Sequence, residues 1–278
     1  MANIMNIKTF EQITKEDISL VGGKGASLGI MSHAGIPIPP GFVVTTEVYK
    51  DFINQSLPAN IQNEILQAFD NLGAERVAVR SSAVAEDSTA SSWAGQLETC
   101  LNVTRDNLFE SIKKCWASMH SERANAYAQK QGITENQQLA VVVQKMINSE
   151  ISGVIFTVNP ITKNGDEIIL EAIYGLGELL VQGMVTPYNY VLNKRTEEVK
   201  SNTKGEQETM LVYQDGDNKE VPLPTDLQHS EILSINDIKQ LAKLALQIED
   251  IYKDPQDIEW AKESNKFYIA QSRPITTI

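Results

Sequence analysis

The sequence predicts an α+β fold, on three observations. Apolar residues recur at helical spacing in separate blocks, short β-type runs fill the second half, and the two kinds of block do not alternate as regular βαβ units. In order, Val21-Gly-Gly-Lys-Gly-Ala-Ser-Leu28 is a glycine loop opening a helix to about His33, which Pro37, Pro39, Pro40 and Gly41 then break. Phe42–Thr46 is strand-like, and Ile61, Ile65, Leu66, Phe69 and Leu72 mark one face of an amphipathic helix. Arg76–Arg80 reads as a strand and Ser81–Ser92 as a Ser/Ala/Asp-rich loop. Leu108, Ile112, Cys115, Trp116 and Met119 are helix-spaced, in a helix extending to about Gln131. Leu139–Ile147 carries the continuous apolar run of a buried strand. Ile151–Val158 and Glu167–Ile173 are strands joined through Asn159-Pro160 and Asn164-Gly165. Tyr190–Asn193 and Glu197–Lys200 suit a hairpin. Residues 201–220 form a polar, turn-rich, exposed excursion. Ile235, Ile238, Leu241, Ala242, Ala245 and Ile248 make a helix, and strands at about Asp257–Ala261 and Lys266–Gln271 follow. The excursion suggests two parts, 1–204 with the glycine loop and central strands, and 205–278 with the last two strands.

The 278 residues are ample for a buried core without a metal or disulfide framework. Against 36 acidic residues stand 24 basic ones, a net charge of −12, so no general nucleic-acid binder and no partner for an anionic membrane surface is expected. A single basic pocket for an anion is compatible with that charge. Cys100 and Cys115 form no C-x-x-C motif, which excludes a zinc ribbon or thioredoxin-like site. They allow one disulfide or, the preferred reading, two buried thiols in a reducing compartment. Met1 to Asp17 do not read as a signal peptide, and no apolar run approaches the ~20 residues that span a bilayer. A soluble, cytoplasmic protein is expected.

Gly22-Gly-Lys-Gly25 is not a P-loop, because Gly25 stands where Ser or Thr would follow the lysine. Backbone N–H groups at a helix start beside the point charge of Lys24 still suit a phosphate. A flexible turn with a solvated lysine accounts for the same letters. Arg80, at a strand end, is placed for bidentate phosphate contact, or for a surface pair with Glu86 or Asp87. Trp93–Thr99 suits either a lid over a nucleotide or a strand with one packed Trp. Gly175-Leu-Gly-Glu178 lacks the third glycine of a dinucleotide fingerprint, so a Rossmann reading is poor, although Gly175 and Gly177 let backbone approach a ligand. In Asp257-Ile-Glu-Trp260, alternation puts Asp257 and Glu259 on one face; Gln271 and Arg273 likewise share one. Paired strands would present carboxylate, amide oxygen and guanidinium together. That set suits Mg²⁺ and a phosphoryl group, or forms a plain cross-strand Glu–Arg pair. No H-x-x-x-H or G-x-S-x-G occurs, against zinc or serine-elbow hydrolysis.

In sequence order, Val21–Gly29, Gly35-Ile-Pro-Ile-Pro-Pro-Gly-Phe42, Val79-Arg-Ser-Ser-Ala83 with Ala85-Glu-Asp87, Ala94-Gly-Gln96 to Asn102, Ser152-Gly-Val-Ile-Phe-Thr157, Gly175-Leu-Gly-Glu178, Asp257-Ile-Glu-Trp260 and Gln271-Ser-Arg-Pro-Ile-Thr276 resemble the ATP-binding domain of the phosphoenolpyruvate synthase / pyruvate phosphate dikinase family, shared by rifampin phosphotransferases. The ordered set covers nearly the whole chain. The resemblance implies an ATP-grasp fold with nucleotide held between two subdomains, and the cofactors ATP and Mg²⁺. By resemblance, Lys24 and Arg80 hold phosphates, and Gly95, Gln96 and Thr99 belong to the loop over them. Gln144, Lys145 and Met146 lie along the adenine through backbone contacts. Glu259 and Gln271 bind Mg²⁺, and Arg273 steadies the phosphoryl group, so that Lys24, Arg80 and Arg273 are the catalytic set. The family often has Asp where Asn159 and Tyr188 stand here.

Family enzymes continue into a swivelling domain with a phosphorylated histidine. Met31-Ser-His-Ala34 mimics that motif but falls in the glycine-loop helix. The resemblance implies a phosphotransferase module that binds MgATP and passes the β-phosphate, leaving AMP and phosphate, to a histidine on a separate polypeptide or on missing C-terminal domains. The alternative is a nucleotide-binding regulatory or adaptor subunit without turnover.

Overall fold

The computed structural model describes residues 5–52, 57–84, 97–130 and 138–276. Gly95, Gln96, Trp93 and most of the Ser-rich loop lie outside the described residues. The fold is α+β, and the chain forms two compact units: Met1–Gly35 with Pro39–Met146, and Ile36–Ile38 with Ile147–Ile278.

The first unit contains β1 (Ile7–Thr9), α1 (Ile18–His33), β2 (Gly41–Val44), α2 (Thr46–Phe52), α3 (Ala59–Asn71), β3 (Val77–Ala83), β4 (Thr99–Val103), α4 (Leu108–Ser118), α5 (Glu122–Lys130) and β5 (Leu139–Lys145). Its antiparallel sheet runs β1-β2-β5-β3-β4. The unbroken apolar run of β5 follows from burial on both faces. Leu139, Val141 and Val143 join Val77 and Val79 in a core with Ile65 and Phe69 of α3 and Ile112 and Trp116 of α4. Ala140 and Val142 face the other way, where α1 packs. The helix expected to run to about Gln131 is two helices. Ser121 caps the second, its Oγ accepting from the Ala124 N–H at 3.1 Å.

The second unit contains β6 (Ile151–Phe156), β7 (Glu167–Tyr174), α6 (Glu178–Val181), β8 (Tyr188–Asn193), β9 (Val199–Thr203), β10 (Thr209–Gln214), β11 (Asp217–Pro222), α7 (Thr225–Gln228), α8 (Ile235–Tyr252), β12 (Gln256–Glu263) and β13 (Lys266–Pro274). Its main sheet is antiparallel, in the order β13-β12-β6-β7-β8-β9. One face, with Ile155, Leu170, Ile258 and Trp260, is buried; α8 packs on β12 and buries Ile238, Leu241, Ala242, Ala245 and Ile248. Gly153 of β6 has no room for a side chain, since a Cβ there would sit 1.9 Å from the Glu171 carbonyl oxygen.

The boundary expected at residue 205 falls inside this unit, between β9 and β10. Strands from both sides of it share one sheet, because β12 pairs with β6. The units therefore part at Met146/Ile147. Composition had marked an exposed excursion, and much of that excursion is the β10–β11 hairpin, turned at Asp215 and Gly216 with φ of 54° and 88°.

Candidate functional site

In the first unit the site elements converge on the α1 face of the sheet. Gly22 interrupts α1 at φ 71°, ψ 174°. A Cβ there would lie 2.2 Å from the Ser82 carbonyl oxygen, so only glycine lets the chain pass this close to β3. The helix resumes behind it with Lys24 in its opening turn. Lys24 is only 5% exposed, which removes the reading of a solvated lysine on a loose turn. Arg80, at 8% exposure within β3, is likewise no surface arginine. Its guanidinium donates to Gln144 Oε1 at 3.4 Å, and the Gln144 amide donates to the Pro39 carbonyl at 3.4 Å. Thr99 sits directly opposite Arg80 in the β3–β4 register and so shares its face. Lys24 follows the glycine break, and Arg80, Thr99 and Gln144 stand on adjacent strands of one sheet.

Lys145 and Met146 stand at the end of β5, where their N–H groups are already committed, to the Pro40 carbonyl at 2.9 Å and the Arg76 carbonyl at 3.0 Å. A backbone contact from these two residues to a base must therefore use a carbonyl oxygen.

In the second unit the register does the assembling. β12 and β13 turn tightly at Ser264 and Asn265, both at positive φ (48° and 63°). From that turn the pairing runs regularly to Trp260↔Ile269, then shifts, so that Glu259 faces Gln271 and Asp257 faces Arg273. The extra residue is Ala270. This bulge brings Gln271 and Arg273 onto the face of Glu259 and Asp257; an unbroken ladder would put them on the α8 side. The row continues across the sheet from Gln271 and Glu259 through Val154 to Glu171 and Asn189.

Arg273 donates through Nε at 2.8 Å and Nη2 at 2.6 Å to one oxygen of Asp257. The cross-strand partner directly opposite Arg273 is Asp257, and this pair fixes the guanidinium in place. Burial pushes the Asp257 carboxyl up from its ordinary range, against the opposing pull of Arg273. Burial also raises the carboxyl of Glu171, whose Oε1 accepts from the Asn189 amide at 3.5 Å.

A divalent cation fits this donor set. Glu259 and Gln271 offer a carboxylate and an amide oxygen from directly opposed positions. Among the described residues no cluster of three or more His, Cys, Asp or Glu could hold a metal by itself. Mg²⁺ characteristically takes one or two protein oxygens and completes its shell with phosphate and water.

Other expectations change. Gly175 does give close backbone approach, but to β10: a Cβ would lie 2.5 Å from the Leu211 carbonyl oxygen, which also accepts from the Leu176 N–H at 2.9 Å. His33 ends α1 with Nε2 on the Ile13 carbonyl at 3.0 Å, a helix-end role as the sequence reading held. Both cysteines are unbridged thiols, with Cys115 buried and Cys100 half-buried. A hydrogen bond from Cys115 brings the Cys100 thiol down to about 7, and the same bond raises Cys115. The departures from the family pattern have local reasons. Asn159 donates to Glu167 Oε2 at 2.8 Å while its Oδ1 accepts from the N–H groups of Ile161 and Thr162; an aspartate would set two carboxylates together. Tyr188 is a core residue, its ring edge-on to Tyr174 and its hydroxyl on the Ser230 carbonyl at 3.2 Å. Sequence reasoning passed over Asp257 as the holder of Arg273 and Ser82 beneath the glycine loop. Alternation with Glu259 pointed to the first; only tertiary contact reveals the second.

Buried cations beside a glycine break, and hard oxygen donors beside an oriented guanidinium, suit a nucleotide-binding protein. The model of the pyruvate phosphate dikinase AMP/ATP-binding domain matches residues 18–57 and 52–278, and the chain belongs to that family. A probable phosphoenolpyruvate synthase of Methanocaldococcus jannaschii is 39% identical over 98% of this chain and 27% of its own length. The rifampicin phosphotransferase of Bacillus cereus is 35% identical over 97% of this chain and 36% of its own. The chain thus spans less than half the length of these relatives. Among solved structures, the D-alanine–D-alanine ligase of Bacillus anthracis matches 91% of this chain and 55% of its own at 12% identity and a TM-score of 0.41. ATP binding goes with the family, and the fold is mixed α+β.

Proposed function

We propose that the chain binds MgATP and passes the β-phosphoryl group to a histidine of a separate polypeptide or further domain, with AMP as leaving group and the γ-phosphoryl group released to water as phosphate. The observation that carries this reading is the bulged β12–β13 register, which presents Glu259, Gln271 and Arg273 on one face. In the proposal Lys24 and Arg80 neutralise phosphate oxygens, and their burial makes each charge worth more than it would be in water. Gln144 holds the Arg80 guanidinium, and a carbonyl of Lys145 or Met146 meets the base. Thr99, on β4 opposite Arg80, faces the phosphates with it. Glu259 and Gln271 hold the cation, which when bound supplies charge neutralisation at the phosphates. Arg273, kept in one orientation by Asp257, stabilises the charge that develops on the phosphoryl group in flight. Among the described residues no helix is long and apolar enough to cross a membrane. A site fed by ATP suits the cytoplasm.

The test is label transfer. The chain is mixed with a histidine-domain protein of the same family and ATP labelled at either the β or the γ position. Acid-labile protein label from the β position, with AMP as co-product, is expected. ADP as the co-product, or no transfer to the cognate partner, would contradict the dikinase reading. Tight MgATP binding without transfer would point to the adaptor alternative.

A further inference from the structure

We infer that Ser82 is a positioning residue for Lys24, setting where the lysine at the restart of α1 presents its charge; the inference rests on the phosphate-binding role proposed for Lys24. Ser82 is fully buried on β3, two residues beyond Arg80 and therefore on the same face. Its hydroxyl donates to the Val21 carbonyl at 2.8 Å and accepts from the Gly25 N–H at 3.1 Å. One side chain thus ties both ends of the segment that contains Gly22 and Lys24. The Gly25 N–H belongs to the opening turn of the resumed helix, where N–H groups have no partner within the helix itself. Backbone contact completes the joint, since Gly22 passes so close to Ser82 that any Cβ would collide with its carbonyl. Arg80 and the Lys24 segment are thereby referred to one strand, and their separation is fixed by hydrogen bonds and not by a loop.

Removing the hydroxyl leaves a buried carbonyl and a buried N–H without that partner. The segment then shifts or loosens, and a displacement of about 1 Å is enough to degrade a contact with a reacting group. A role through Lys24 differs from a merely structural one in a double-mutant cycle, because residues acting through one another are not additive.

The experiment uses the full chain, with MgATP affinity measured by calorimetry for wild type, Ser82→Ala, Lys24→Met and the double variant. Hydrogen exchange is followed over residues 21–28 and 59–71. Ser82→Ala is expected to weaken MgATP about tenfold in the wild-type background and less than twofold in the Lys24→Met background. Exchange should quicken over 21–28 and stay unchanged over 59–71. Equal loss in both backgrounds, or no loss in either, would overturn the inference. If Ser82→Ala does not fold, Ser82→Cys, which keeps a weaker donor, replaces it in the same cycle under the same criterion. A wild-type chain that binds no nucleotide would overturn the phosphate-binding reading and this inference with it, and that outcome is read before any variant is made.

Discussion

Arg273 shows how much of the site depends on one residue being held. Two of its hydrogen bonds go to a single oxygen of Asp257, which holds the guanidinium in one orientation. Truncating it, or Arg80, is expected to lower phosphotransfer by about 2–4 kcal/mol of transition-state stabilisation, as loss of a preorganised charge does. Circular dichroism should show the fold retained, and steady-state rates of AMP formation measure the loss. Full activity in either Arg80→Ala or Arg273→Ala would remove the role assigned to that residue. At this scale the sequence was informative about residue type and silent about partners. Lys24, Arg80, Glu259, Gln271 and Arg273 were all legible as candidates from motif and alternation. That Lys24 and Arg80 are buried was not, because burial depends on α1 packing over β3. Nor could the sequence show that Gln144 uses its side chain on Arg80, since residues 64 apart meet only through the β3–β5 register.

Among the elements, the β12–β13 hairpin decides whether the proposed metal-binding pair, Glu259 and Gln271, stands on one face. Two strands with a tight turn would pair Glu259 with Ala270; the observed shift pairs it with Gln271. Deleting Ala270 is expected to give a regular ladder that keeps Glu259 opposite Gln271 and Asp257 opposite Arg273, since the extra residue alone is removed. The variant should keep both its strand content and the Mg²⁺ dependence of ATP binding. Lost Mg²⁺ dependence with strand content retained would contradict the assignment of the cation to the Glu259–Gln271 pair. Alternation predicted each strand's faces correctly, but no residue pattern announced the bulge that matches them.

A second element carries a pH signature. Asp237 caps α8 reciprocally with Ser234, and its other oxygen takes Lys262 of β12 at 2.9 Å. Burial pushes its carboxyl up, but the bonds from Lys262 and Ser234 outweigh that, and the net shift is downward from 3.8. A group with a depressed folded pKa stabilises above its unfolded value and loses that contribution as pH falls through the folded one. Denaturant midpoints of wild type should therefore fall between about pH 5 and pH 3 more steeply than those of Lys262→Met, whose Asp237 lacks the cation. Parallel curves would contradict the assignment.

For the whole molecule, the α+β class was readable because helical and strand periodicities survive in the sequence as separate blocks. The division at Met146/Ile147 was not, because it is set by which strands share a sheet and not by composition. The polar stretch after β9 looks like a linker yet forms an exposed hairpin of the second unit, tied back to it by the Gln207 amide on the Tyr174 carbonyl at 2.9 Å. At a net charge of −12 the chain has no basic long-range field, and the buried Lys24 and Arg80 are the cations that the proposed function assigns to a local anion.

The central claim, a nucleotide site that needs a divalent cation, is tested most directly by calorimetric titration of the chain with ATP, with and without Mg²⁺, alongside Glu259→Gln. The account predicts micromolar binding that tightens with Mg²⁺ in wild type and responds little to Mg²⁺ in the variant, because a hard cation prefers the carboxylate to an amide. No binding, or binding indifferent to Mg²⁺ in wild type, would contradict it.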